Sequence, residues 1–174
     1  MPRRVLRSRE PALTAEDGPV RRGVHALRQE MGVTSRFPDD VEAAAEKAAR
    51  HPRIPDVDRT EIPFVTLDPP GARDLDQALH LERTEHGYRV HYAIADVAAF
   101  VEPGSPLDEE AHRRGVTLYA PDGNTRLYPP ELSEGAASLL PGELRPALVW
   151  RMDVDETGEG TDVHVRKALS LIHI

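Results

Sequence analysis

Three carboxylates stand within nine residues in Asp68-Pro69-Pro70-Gly71-Ala72-Arg73-Asp74-Leu75-Asp76, and Gln77 follows directly. Carboxylates crowded this closely repel one another, and a divalent cation is one agent that offsets the repulsion. Asp74 and Asp76 lie two apart, so in extended backbone their side chains share a face, and the Pro-Gly turn can fold Asp68 back beside them. From spacing alone the cluster reads either as a metal site or as a set of turn-forming and capping aspartates, and both readings stay open. A calcium loop of the EF-hand kind fits poorly, because the alternating oxygen ligands, central Gly and closing Glu are not at the required offsets. The chain has no cysteine, so any metal takes oxygen or imidazole ligands, which selects hard cations such as Mg²⁺ or Mn²⁺. The histidines are scattered without a ligand spacing such as HExxH.

The elements around this loop set its position. Upstream, Val24, Leu27 and Met31 recur at i, i+3 and i+7 before Gly32, which predicts a first helix. A second helix is expected over 41–50, with Asp39 as N-cap, Glu42 three residues on, a Glu46/Arg50 pair and His51-Pro52 as its stop. From Glu61 the pattern turns to strands. Ile62–Leu67 is a short apolar run whose Pro63 demotes it to an edge strand, and it delivers Asp68. Segments 78–83 and 88–97 flank a turn at Thr84–Gly87, with Tyr88, Val90, Tyr92 and Ile94 alternating at period two. Ser105-Pro106-Leu107-Asp108 starts a further helix that Gly115 closes, a strand over 116–119 follows, and segments 147–155 and 161–168 form a last hairpin. The fold class is α+β, a mostly antiparallel sheet with short helices. Asp96 reads as a strand end or a brace for the acidic loop, and Arg113-Arg114 as a solvated helix end.

Charge is uneven along the chain. Residues 1–53 hold 11 Lys and Arg against 8 Asp and Glu, whereas residues 54–174 hold 11 against 22. An acidic surface disfavours loose electrostatic binding of nucleic acid, so any nucleic-acid reading must rest on a specific site. No apolar run approaches the roughly 18 residues of a spanning helix, and the start lacks a secretory apolar core, which leads us to expect a cytoplasmic protein without a membrane partner.

Beyond the acidic loop, a succession of segments resembles one family. Ile62-Pro63-Phe64-Val65-Thr66-Leu67-Asp68-Pro69, Ala72-Arg73-Asp74-Leu75-Asp76 and Ala78-Leu79 are similar to the signature of the RNB domain of the ribonuclease II and ribonuclease R family. His91–Val97, Pro103–Asp108, Thr117–Asp122, Leu132–Gly142 and Arg145–Leu148 continue the likeness in order, over about residues 59–168. The resemblance implies a 3′→5′ exoribonuclease that hydrolyses single-stranded RNA to 5′-mononucleotides and is a monomer at full length. It further implies Mg²⁺, or Mn²⁺, held by Asp68, Asp74 and Asp76, lowering the pKa of a bound water and offsetting charge on the leaving oxygen. Tyr119 matches the family's aromatic that stacks on the 3′-terminal base. Gln77 stands where many members have a fourth aspartate. It belongs to the expected catalytic set with Asp68, Asp74 and Asp76 but brings no charge, so an RNA-binding protein with impaired catalysis is the alternative, and a calcium-stabilised structural domain a third.

The organisation expected is a helical lead-in over 1–55, like that of actinobacterial-type members, and the N-terminal part of an RNB domain over 56–168. The last six residues, Leu169–Ile174, depart from the pattern. The nucleotides CTGTCTCTTATACACATC, which resemble a transposon-end sequencing adapter, encode them, so a reading frame lost after Ala168 is expected, with a genuine apolar strand as the alternative.

Overall fold

The protein is described by a computed structural model over residues 18–173; the first 17 residues of the expected lead-in, and Ile174, lie outside the described residues. In chain order the elements are α1 (Pro19–Glu30), α2 (Asp39–Arg50), β1 (Gln77–Thr84), β2 (Gly87–Ala95), α3 (Pro106–Arg114), β3 (Leu118–Ala120), β4 (Gly123–Thr125), β5 (Leu144–Asp155) and β6 (Gly160–Leu171). They fall into two compact units, residues 18–37 with 114–127 and residues 38–113 with 128–173. The expected α+β class, a mostly antiparallel sheet with short helices, is the class observed.

In the smaller unit α1 ends as its sequence predicts. Gly32 takes φ +66°, Val33 N–H donates to Arg28 O at 2.8 Å and Gly32 N–H to Gln29 O at 3.1 Å, a paired closure that a left-handed glycine permits. Its Arg28 reaches the β3–β4 turn and grips the Asp122 carboxylate bidentately at 2.8 and 2.9 Å. Each partner shifts the other: Arg28 is raised, and the Asp122 carboxyl is held below its ordinary range by the guanidinium. Arg114 corrects the sequence reading. Far from a solvated helix end, it lies 3.8 Å over the Phe37 ring and donates to the carbonyls of Thr34, Arg36 and Arg126 at 2.9–3.1 Å.

The larger unit is built on a four-stranded antiparallel sheet in the order β1-β2-β5-β6. The β1–β2 hairpin turns through Glu85-His86, as expected, and Gly87 is obligatory after it: at φ +142° an added Cβ would sit 2.1 Å from Val154 O. The apolar run 62–67 is less regular than a strand. Its Phe64 bridges Ile172 beyond β6, and its Val65 exchanges hydrogen bonds with Leu79 of β1, so this segment links the two outer edges of the sheet. Phe64, Leu75, Leu139 and Ile172 are buried with Ala78, Ala93, Ala147, Val149 and Ala168 in one core on the face so enclosed. On the opposite face the register aligns Leu79, Tyr92, Trp150 and Val165, then Leu81, Val90, Met152 and Val163.

Three sequence expectations shift in detail. Pro38, not Asp39, occupies the cap position of α2, so Asp39 is a first-turn acid favoured by the helix dipole. Arg113 pairs with the buried Glu110 instead of standing free. The final hairpin is longer at both strands than the pattern predicts. Leu144, Arg145 and Pro146 pair with Leu171, Ser170 and Leu169, and Ile172 is fully buried, so residues 169–172 are seated as strand and core. The α3 start matches its signature: Ser105 Oγ accepts from Asp108 N–H at 3.3 Å, while the Asp108 carboxylate accepts from Gly104 N–H at 2.8 Å.

Candidate active site

The acidic loop runs from the enclosing segment into β1. Pro69-Pro70-Gly71 makes the expected turn, closed by Ala72 N–H on Pro69 O at 3.1 Å. Leu75 then dives into the core, 5% exposed. Its backbone is held on both sides: N–H donates to Ser138 Oγ at 2.9 Å, and C=O accepts from Leu139 N–H at 2.8 Å. Ser138, itself buried, donates in turn to Arg73 O at 2.6 Å. The pinned apolar residue therefore leaves its neighbours Asp74 and Asp76 exposed to solvent. Asp76 O accepts from Ala95 N–H at 2.9 Å, which ties the loop to the end of β2.

Asp68 is exposed as well, yet no group of three or more His, Asp or Glu among the described residues is close enough to hold a metal ion. The structure thus leaves Asp74 and Asp76 exposed on either side of the buried Leu75 and does not gather the three aspartates into one cluster. The donor chemistry still suits Mg²⁺, which takes one or two carboxylates and fills its octahedron with water and substrate phosphate oxygens. Gln77 faces elsewhere. The Tyr92 hydroxyl donates to its Oε1, and both line a small cavity of about 220 Å³ with Val65, Leu67 and Leu79.

Asp96 follows the last residue of β2, as the sequence suggested. Buried at 4% exposure, it pairs with Lys167 Nζ at 3.0 Å, and its N–H donates to Pro146 O at 3.0 Å. Tyr119 stands on β3 opposite Asn124, 77% exposed on the hairpin whose turn Arg28 holds. Sequence reasoning missed two supports, Ser138 and Arg28. Both act on partners far along the chain, Leu75 at 63 residues and Asp122 at 94, and no local spacing marks such pairs. Ser138→Ala is expected to strand the buried Leu75 N–H and destabilise the protein by about 1–3 kcal/mol, read by urea unfolding; a loss under about 0.5 kcal/mol would show that water replaces the hydroxyl.

The fold and the loop define an α+β domain with an exposed acidic loop at the entry to its sheet, and comparison with known proteins identifies its family. Residues 57–172 match the RNB domain profile, and the chain belongs to the RNB domain family. Exoribonuclease 2 of Proteus mirabilis is 39% identical over 122 residues, which cover 70% of this chain and 19% of that protein. Ribonuclease R of Acidithiobacillus ferrooxidans is 35% identical over 136 residues, covering 75% of this chain and 30% of that protein. Among solved structures, RNase R of Mycoplasma genitalium in complex with double-stranded RNA superposes with a TM-score of 0.78 at 26% identity, over 87% of this chain and 28% of that one. The yeast pseudonuclease Ssd1 shares the fold, with a TM-score of 0.58 at 20% identity, over 72% of this chain and 15% of that one. The chain therefore spans less than a third of the length of each of these relatives.

Proposed function

We propose that the whole protein is a cytoplasmic, monomeric 3′→5′ exoribonuclease that hydrolyses single-stranded RNA to 5′-mononucleotides. The observation that carries this reading is the acidic loop of an RNB domain, pinned through Leu75 with Asp74 and Asp76 both exposed to solvent. Asp74 and Asp76, with Asp68 drawn in from across the turn, would hold Mg²⁺ or Mn²⁺, which supplies Lewis-acid activation of water and charge neutralisation at the phosphate. The chain's own residues position the rest. Ser138 and Leu139 hold the loop backbone against recoil. Gln77 brings no charge, and with its carbonyl oxygen engaged by Tyr92 it would enter the catalytic set only by turning from that partner toward the aspartates. Tyr119 offers an exposed ring for the terminal base, a contact tolerant of sequence because every base has a π-face.

The direct test is a 3′-labelled single-stranded oligonucleotide with the whole protein. Metal-dependent release of labelled mononucleotide that EDTA abolishes is the expected result. Retention of the strand without cleavage at saturating Mg²⁺ would instead establish the second reading, an RNA-binding protein with impaired catalysis, which the uncharged Gln77 favours. In the active case Tyr119→Ala should lengthen the final product and weaken short-oligonucleotide binding about tenfold, the loss of one stacking contact of roughly 1–3 kcal/mol. Unchanged product length and affinity would reduce Tyr119 to a packing residue.

A further inference from the structure

The core occupies one end of the enclosed sheet face, in the row Ala78, Ala93 and Val149. Two residues further along the strands the same face turns polar, because every second side chain returns to it. The register there sets His80, His91, Arg151 and His164 side by side across all four strands. Arg166, paired with Val149, joins them, and Arg59, Glu61, Ile62 and Pro63 complete a cavity of about 620 Å³. That volume lies within the range of roughly 300–1,000 Å³ of small-molecule sites, which favour the mouths of closed or nearly closed sheets.

The cavity gathers guanidinium groups in a chain whose net charge is −8. Three arginines face two glutamates, and both acids are already paired at the cavity wall, which leaves Arg151 and Arg166 uncompensated by either glutamate. Glu61 pairs with Arg59 at 3.7 Å, and Glu82 is shared between Arg89 at 3.6 Å and His91 at 3.5 Å. Arg151 is held by Asp162 through Nη2, but its Nε is buried without a hydrogen-bond partner. Arg166 makes no ion pair or hydrogen bond among the described residues. The guanidinium groups of Arg151 and of the unpartnered Arg166 thus line one cavity, and guanidinium forks match phosphate oxygens in both charge and geometry. Beside them the His80 and His91 rings stack at 6.1 Å and 27°, next to the apolar side chains of Ile62, Pro63 and Val149. Burial holds His91 below its ordinary value, which favours a neutral ring there.

We propose that this cavity binds a nucleotide phosphate, with the guanidinium groups of Arg166 and Arg151 facing its oxygens and the stacked histidines and apolar wall receiving the nucleoside. The phosphate can come from a free mononucleotide or from an RNA strand, and the site is independent of whether the acidic loop cleaves. The test follows the ring C–H signals of isotope-labelled histidine in the whole protein, with EDTA present to prevent cleavage. Inorganic phosphate, AMP and single-stranded oligoadenylate are the probes. Saturable shifts of His80, His91 and His164 are expected with phosphate and with AMP, AMP binding more tightly. Arg166→Gln should weaken both about tenfold at unchanged melting temperature, because it removes one charge-assisted contact from a residue with no structural partner. Displacement of AMP by oligoadenylate assigns the cavity to a strand, and AMP binding indifferent to the oligonucleotide assigns it to the free nucleotide. Absence of shifts at these three histidines with phosphate and AMP overturns the proposal on the unaltered protein alone. So does unchanged affinity in a folded Arg166→Gln variant, whatever the nuclease assay shows.

Discussion

Asp76→Asn should lower kcat of the whole protein by about 10²–10³ while leaving RNA affinity and melting temperature near their original values. The substitution keeps size and shape and removes one negative charge from the Asp74–Asp76 pair. Asp76 is exposed, and among the described residues its backbone carbonyl is the part tied into the fold, by Ala95 N–H at 2.9 Å, so asparagine keeps that contact. A carboxylate that binds a cation opposite the scissile phosphate contributes chiefly to the transition state, where charge develops, and its removal therefore appears in kcat. Strand affinity should hold or rise, because a negative charge near phosphate is gone. The bland alternative, a turn aspartate, tolerates asparagine well. Turnover within about threefold of the original, less than about 1 kcal/mol of barrier, would sink the catalytic assignment.

Phe64→Ala should cost about 3–5 kcal/mol of stability, measured by urea unfolding. The ring is fully buried, and its residue links the sheet edges by bridging Ile172 while the adjacent Val65 bonds Leu79 of β1. Removal leaves a cavity in the core that Phe64 shares with Leu75, Leu139 and Ile172, and a close-packed core collapses only partly to fill it. Because Leu75 belongs to the same core and anchors the acidic loop, the variant should also lose turnover at temperatures where it remains folded. Phe64→Leu, which nearly conserves volume, should cost under about 1.5 kcal/mol and retain turnover. Equal stability of the alanine variant and the original would mean that segment 62–65 is not the closure of this sheet.

Local chemistry made much of this legible in the chain itself. The period-two alternation from Tyr88 to Ile94, the turn at Thr84–Gly87 and the Ser105–Asp108 cap each depend on neighbours within a few residues, so the sequence carried them openly. The exposure of Asp74 and Asp76 about the buried Leu75 follows the same local alternation. The strand ends were less legible. The expected strand started at Ala147, but the Pro146 carbonyl faces Asp96 N–H past the end of β2, so its missing N–H falls where the ladder needs no donor, and β5 begins at Leu144. Spacing likewise placed Asp68 with the other two aspartates, a meeting that depends on how the Pro-Gly turn is oriented in space, and the fold does not assemble the three.

What tertiary structure alone decided is which distant residues meet. The four residues His80, His91, Arg151 and His164 have no common spacing and looked scattered, yet one antiparallel register sets them in a row. Ser138 beneath Leu75 and Arg28 on Asp122 are likewise products of chain return. A single sequence encodes periodicity and turn chemistry directly, whereas a pairing register is the outcome of burying Phe64, Leu75, Val149 and Ile172 in one core. A slip of one residue along a strand would turn its apolar side chains out and its polar row away from the cavity, so the packing that selects the register also selects the site.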